Sequence, residues 1–255
     1  MPGVTPSQIG LLALAAFVAG TVDAVAGGGG LVTLPALLAA GFPPHLALGT
    51  NKGQSVFGAA ASLSRFAAAG MVDWRRARLA FPAACAGSLA GAGLLLRLSP
   101  TLLRPLILAL LVAVALFLAL RRAPPRVTAR VPPRRAPLAA AAIALVLGAY
   151  DGFFGPGTGT FLILAFASLL GDGLARASGE AKVANFASNL SAFTLFAWRG
   201  NVVWAVALPM AAGQFLGGLL GAHLAIRGGD VFVRRIVLLV VLALSVKIAW
   251  DLRGG

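Results

Sequence analysis

Three lysines stand against eighteen arginines in this 255-residue chain, and two of the three, Lys52 and Lys182, open long apolar stretches. An ammonium group near membrane depth is costly unless paired or hydrated, so it marks a functional position by default. Asp23 and Asp151 are the available counter-charges, each just ahead of a glycine-rich break, Gly27-Gly28-Gly29-Gly30 in one case and Gly155-Pro156-Gly157-Thr158-Gly159 in the other. Polar residues cluster around both lysines. The first cluster is Thr50-Asn51-Lys52-Gly53-Gln54-Ser55, and the second runs from Glu180 through Lys182 and Asn185 to Ser188-Asn189. On a helix Lys182, Asn185 and Asn189 fall at i, i+3 and i+7 on one face, and Lys52 and Ser55 share a face in the same way. Ammonium groups, amide donors, helix N-termini and backbone N–H groups bared at glycine together suit an anion. The expected substrate-binding set is therefore Asp23, Gly28, Gly29, Gly30, Thr50, Asn51, Lys52, Ser55, Asp151, Pro156, Gly157, Thr158, Lys182, Asn185 and Asn189. The competing reading is that both lysines only snorkel to the membrane surface. Glu180, the one glutamate, is open to two roles: carrier of a coupling proton, or helix cap.

The elements that must hold these residues are membrane helices. Hydrophobic residues make up 59% of the chain and charged residues 11%, with a mean hydropathy of +0.92. A soluble domain carries roughly 25% charged residues. Runs such as Leu106–Leu120 and Ile236–Val246 carry no charge and, with their shoulders, reach the roughly 20 residues that a spanning helix needs. Met1–Ile9 has no Lys or Arg, so the first apolar run is expected to stay as a helix rather than serve as a secretory leader. A single cysteine, Cys85, excludes internal disulfides and cysteine-built clusters, and two histidines, His45 and His223, are too few for several haems. No cofactor or metal is expected. The net charge of +14 is not a nucleic-acid signal: six arginines crowd into Arg121–Arg135 among prolines, as in a loop held at an anionic inner leaflet.

The same chemistry returns 130 residues later. Lys52 maps onto Lys182, Gly70 onto Gly200, Trp74 onto Trp204, Gly91 onto Gly221 and Arg104 onto Arg234, and with an offset of 128 Asp23 maps onto Asp151. The reading is an all-α integral membrane protein of about eight transmembrane helices in two tandem four-helix repeats, 1–121 and 137–255, joined by a basic Pro-rich linker, 122–136. The first helix of each repeat is broken or re-entrant, because runs of glycine and Pro156 do not sustain a continuous helix. Interrupted segments at corresponding places in two halves point to a transporter's binding site between them, the plainer reading being a surface loop. Four crossings per repeat would make the halves parallel. The turn at 70–78, residue 199 and both termini would then share the cytoplasmic side with the linker. Five crossings per repeat would invert the second half. Gly87, Gly91, Gly93, Gly213, Gly217, Gly218 and Gly221 read as helix-packing residues, Trp74 and Trp204 as interfacial, and His223 as structural.

The stretch from Gly27 through Pro35, Gly41 and His45 to Thr50-Asn51-Lys52 resembles the first signature of the sulfite exporter TauE/SafE family. Tyr150-Asp151 with Gly155-Pro156-Gly157, and Lys182 with Asn185 and Asn189, resemble the second. The resemblance implies a multi-pass permease of the bacterial inner membrane for sulfite, organosulfonates or related sulfur-containing or carboxylate anions. It implies secondary transport with a proton or cation as the coupling ion. Its partners would be the small anion and the lipid bilayer. An uncoupled anion channel and a membrane-embedded enzyme are the alternatives. An ATP-driven pump is disfavoured, since no Gly-Lys-Ser/Thr loop is present.

Overall fold

The computed structural model describes residues 4–120 and 131–251. Most of the expected linker, including Arg122, Arg126 and Arg130, lies outside those residues, as do Arg121 and Arg253. Nine α-helices and one 3-10 turn account for nearly all of the described chain, with no strand among the described residues. They are α1 (Pro6–Ala26), α2 (Gly30–Ala39), α3 (Pro44–Ala68), α4 (Trp74–Leu95), α5 (Pro100–Leu120), α6 (Ala136–Phe153), α7 (Thr158–Leu169), α8 (Leu174–Trp198) and α9 (Trp204–Asp251). The last is two helices meeting at Gly229, whose φ of 59° and ψ of −161° interrupt it.

Where the sequence suggests about eight spanning helices, five among the described residues are long and apolar enough to cross a membrane: α1, α4, α5 as far as Leu118, α6 with its leading turn, and α9 as far as Ile236. Helices α3 and α8 have 25 residues each, about 37 Å at 1.5 Å per residue, but polar side chains dilute their hydropathy. Those polar side chains are buried inside the protein, which is where such helices belong.

The broken segments are hairpins. Helix α1 starts with a capping box, Thr5 with Gln8, and Pro6 at its first turn. It ends at Gly27, in the left-handed region at φ 78°, whose N–H closes onto the Asp23 carbonyl at 2.9 Å. Helix α2 then returns: Phe42, just beyond it, lines a common cavity with Val4, Ile9 and Leu46. The second hairpin behaves alike, since the Val131 N–H, ahead of α6, bonds the carbonyl of Leu169 at the end of α7 at 3.1 Å. The two hairpins enter from opposite faces. Val4, Phe42, Val203 and Val206 define an N-terminal face, and Val131, Leu170, Leu174 and Val72 a linker face.

Helix α3 runs from the N-terminal face to the linker face, and α8 runs the other way. The Val203 N–H bonds Thr50 Oγ1 at 3.0 Å on one face, and the Asp73 N–H bonds Glu180 Oε1 at 2.6 Å on the other. The halves are therefore antiparallel. The expectation that residue 199 and the N-terminus share a side with the linker and the 70–78 turn does not hold. Helices α2 and α7, of 10 and 12 residues, are too short to cross, and each leads back to the face where its hairpin entered, so a half makes an odd number of crossings.

The two halves are interleaved rather than side by side. The most extensive pairings are α1 with α9 and α6 with α4. Small residues allow this: a Cβ at Gly217 would collide with the Phe17 carbonyl, and one at Gly91 with that of Ala149. Gly93 departs from the expected packing role, with nothing within 4 Å of the position a Cβ would take. Trp74 and Trp204 are both exposed, at 58% and 51%, and mark opposite faces.

This arrangement is checked by labelling single cysteines in sealed cells. In a Cys85→Ala background, Thr5→Cys and Arg134→Cys react with a membrane-impermeant maleimide from opposite sides; labelling of both from one side contradicts the antiparallel fold.

Candidate functional site

The tips of the two hairpins meet. The Thr160 N–H bonds the Gly27 carbonyl at 3.0 Å and its hydroxyl the Ala26 carbonyl at 2.8 Å. A Cβ at Gly27 would overlap Gly159, so the contact is backbone to backbone. Around these tips lies a cavity of about 20 Å³, the free space of roughly one water molecule. Its walls come from both hairpins, α3, α8 and α9.

Each lysine pairs with the carboxylate of the other half. Lys52 Nζ on α3 lies 2.8 Å from Asp151 Oδ1 on α6, and Lys182 Nζ on α8 lies 2.6 Å from Asp23 Oδ2 on α1. Both lysines are almost wholly buried, at 2% and 0% exposure. Further hydrogen bonds support the pairs. Lys52 donates to Asn189 Oδ1 at 3.2 Å, Asp23 Oδ1 accepts the Gly29 N–H at 3.2 Å, and Asp151 Oδ2 accepts the Ser188 hydroxyl. Asn189 in turn donates to Asn185 Oδ1 at 2.9 Å. Among the described residues of the site, two positive and two negative charges balance, and each ammonium group is held by a carboxylate. Buried pairs of this kind earn little net stability, but removing one partner strands the other.

Of the expected residues, Asp23, Gly30, Asn51, Lys52, Ser55, Asp151, Gly157, Asn185 and Asn189 line the cavity together. Lys182 stands behind Asp23, and Gly28, Gly29, Pro156 and Thr158 shape the breaks: Pro156 packs against Gly30 and its carbonyl accepts the Tyr150 hydroxyl at 2.7 Å, while the Thr158 hydroxyl bonds the Gly155 carbonyl at 2.7 Å. Thr50 and Glu180 lie away from the cavity and accept backbone N–H groups at the starts of α9 and α4, 130 positions apart in each case. The capping reading of Glu180 describes its contact. His223 meets Arg65 Nη2 at 2.9 Å through Nδ1, outside the site.

Sequence reasoning missed Gly27, Gly155, Gly159 and Gln214 on the cavity wall, and Thr33, whose hydroxyl holds Asn51 Oδ1 at 2.6 Å. A solitary glutamine in the otherwise apolar start of α9 was the available signal for Gln214.

The two faces differ in how they close over the cavity. On the linker face Arg76 Nη1 donates to both oxygens of Asp172 at 2.9 and 2.7 Å, its Nε approaches Asp73 at 3.5 Å, and Arg176 flanks Asp172 at 3.9 Å. The positions 130 residues away from Asp172, Arg176, Asp73 and Arg76 are Phe42, Leu46, Val203 and Val206, which line an apolar cavity of about 170 Å³ on the N-terminal face.

The exchanged pairs are checked by a double-mutant cycle. Lys182→Met costs about 3–5 kcal/mol by stranding Asp23, and adding Asp23→Asn restores part of it in thermal melts of detergent-purified protein; additive losses would refute the pairing.

A family model described as "Sulfite exporter TauE/SafE" matches residues 12–248. The chain is 37% identical over 251 residues to "Probable membrane transporter protein YfcA" of Escherichia coli (strain K12), covering 98% of this chain and 93% of that one. It is 37% identical over 243 residues to "Probable membrane transporter protein ORF9" of a Sinorhizobium species (95% and 93%) and 36% identical over 243 residues to a "Probable membrane transporter protein" of Haemophilus influenzae (95% of each). No solved structure matches.

Proposed function

The chain belongs to the sulfite exporter TauE/SafE family of membrane transporters, and from that premise we propose that it is a secondary transporter of small anions, with sulfite, organosulfonates and related sulfur-containing or carboxylate anions as its substrates. The observation that carries this reading is the pair of exchanged lysine–aspartate bridges at the meeting point of two re-entrant hairpins. Two repeated units, 1–121 and 137–255, make the site between them, and the residues around 122–136 join them.

The bridges suggest how coupling works. With both ammonium groups neutralised, an anion entering alone would bring an unbalanced charge into a low-dielectric site. Protonation of Asp151 or Asp23 frees the facing lysine, so proton and anion bind together at no net cost in charge. Alternating exposure then follows from rocking of one half against the other around a fixed site, as in other inverted-repeat carriers.

Orientation follows from charge. Arg65, Arg75, Arg76, Arg78, Arg134, Arg135, Arg176, Arg227, Arg234 and Arg235 belong to the linker face, while Arg97, Arg104 and Arg199 belong to the other. The excess assigns the linker face to the cytoplasm and the N-terminus to the outside of a bacterial inner membrane.

The test is flux in proteoliposomes. Lys52→Ala and Lys182→Ala abolish counterflow of a labelled sulfonate while the protein still inserts. Asp151→Asn keeps exchange but loses uphill movement driven by a pH gradient. Normal flux in both lysine variants would remove the site, and wild-type flux with no uphill movement in any gradient would make the protein a channel.

A further inference from the structure

Gln214 is a wall residue outside the charge pairs whose buried amide oxygen has no hydrogen-bond partner among the described residues. It stands on α9, is 2% exposed, and faces the cavity. Its backbone carbonyl is wedged against α1, 2.6 Å from where a Cβ of Gly20 would lie, and its side chain crosses α3 over Gly58. Among the described residues, the buried side-chain polar atoms without a hydrogen-bond partner are Gln214 Oε1 and Gln54 Oε1. Gln54 sits one turn before Gly58 on the same helix, where its Nε2 is spent on Asn51 Oδ1 at 3.0 Å and Ser55 Oγ at 3.1 Å. The other half has no counterpart to either amide: 130 residues away stand Ala184 and Ala84. Asn185 and Asn189 of α8 on the wall are bonded to each other and to Lys52, whereas on the α3–α9 side the Gln214 oxygen is left without a partner.

A buried carbonyl oxygen without a partner bears its full desolvation penalty, and native proteins keep such atoms where something else supplies the bond. A small cation would satisfy it, but the Lys52 ammonium on the same cavity disfavours one. A hydrogen-bond donor carried by the solute meets no such objection. We propose that Gln214 is the selectivity contact of the cavity, its amide oxygen accepting a hydrogen bond from an O–H or N–H on the bound anion. The site then prefers a monohydrogen oxyanion, or an organic anion bearing a hydroxyl or amino group, over an anion that offers acceptors alone. The contact rests on the reading of this cavity as an anion site and names the class of anion. It also makes binding directional: the charged end lies toward the lysines and the donor end toward α9.

The probes are ethanesulfonate and 2-hydroxyethanesulfonate, competing for counterflow in proteoliposomes of the full chain. Wild type favours the hydroxylated anion by about tenfold, the worth of one neutral hydrogen bond at the upper end of its range. Gln214→Met, which keeps length and loses the acceptor, brings the ratio to within about twofold. Equal competition in wild type, or an undiminished ratio in Gln214→Met, overturns the contact while leaving the anion reading intact. No uptake of either sulfonate by wild type overturns the anion reading and the contact with it. Should Gln214→Met fail to fold, thermal stabilisation of purified wild type decides: a larger shift with 2-hydroxyethanesulfonate supports the contact, and equal shifts refute it.

Discussion

Two buried ammonium groups set the terms for everything else in this protein. Neither Lys52 nor Lys182 reaches solvent, so each needs a carboxylate within direct contact, and each finds it in the opposite half of the chain. That exchange brings α1 and α6 deep between α3 and α8. It also requires the hairpin tips to touch, which is why glycine occupies both sides of the contact at Gly27 and Gly159. The α1–α9 and α6–α4 pairings, close enough to exclude a Cβ at Gly217 and Gly91, are the packing that holds the exchanged geometry in place. Separating the halves would break two ion pairs and leave four charges uncompensated at once, so the interleaving is enforced electrostatically as well as sterically.

Much of the site was legible in the sequence because it depends on residue type. Lysine is rare here and recurs at a constant offset, and its partners are two aspartates that recur at a matching offset, each just ahead of a glycine-rich break; nine of the expected residues line one cavity. What stayed hidden depends on direction. An offset of 130 is the same whether two units are parallel or antiparallel, so the recurrence of Lys52 at Lys182 carries no information about which way α8 runs. The length of the arms at Leu31–Ala40 and Phe161–Leu170 rules out a crossing, yet says nothing about whether the chain returns. That return is settled by tertiary contacts, such as Phe42 beside Val4 and Val131 beside Leu169, that no local pattern encodes.

The same limit explains the individual misses. Thr50 and Glu180 are polar residues next to the lysines, and composition cannot separate a side chain facing a cavity from one turned toward a neighbouring helix start. Gln214 looked like an isolated polar residue in a helix otherwise built for close packing. Hydropathy alone also undercounts α3 and α8, because the buried polar residues that line the cavity are those that lower their apolar score. In a membrane protein the most buried helices are the ones such a count finds last.

The unlike closures of the two faces carry a thermal consequence. The linker face is held by Arg76, Asp172 and Asp73, and the N-terminal face by Phe42, Leu46, Val203 and Val206. Apolar association weakens on cooling, whereas the penalty for dehydrating charges falls on heating. Cooling therefore loosens the apolar closure, and warming strengthens the ionic one through its smaller dehydration penalty. Two halves whose residues correspond at an offset of 130 close by forces with different temperature coefficients, so the relative strength of the two closures shifts with temperature.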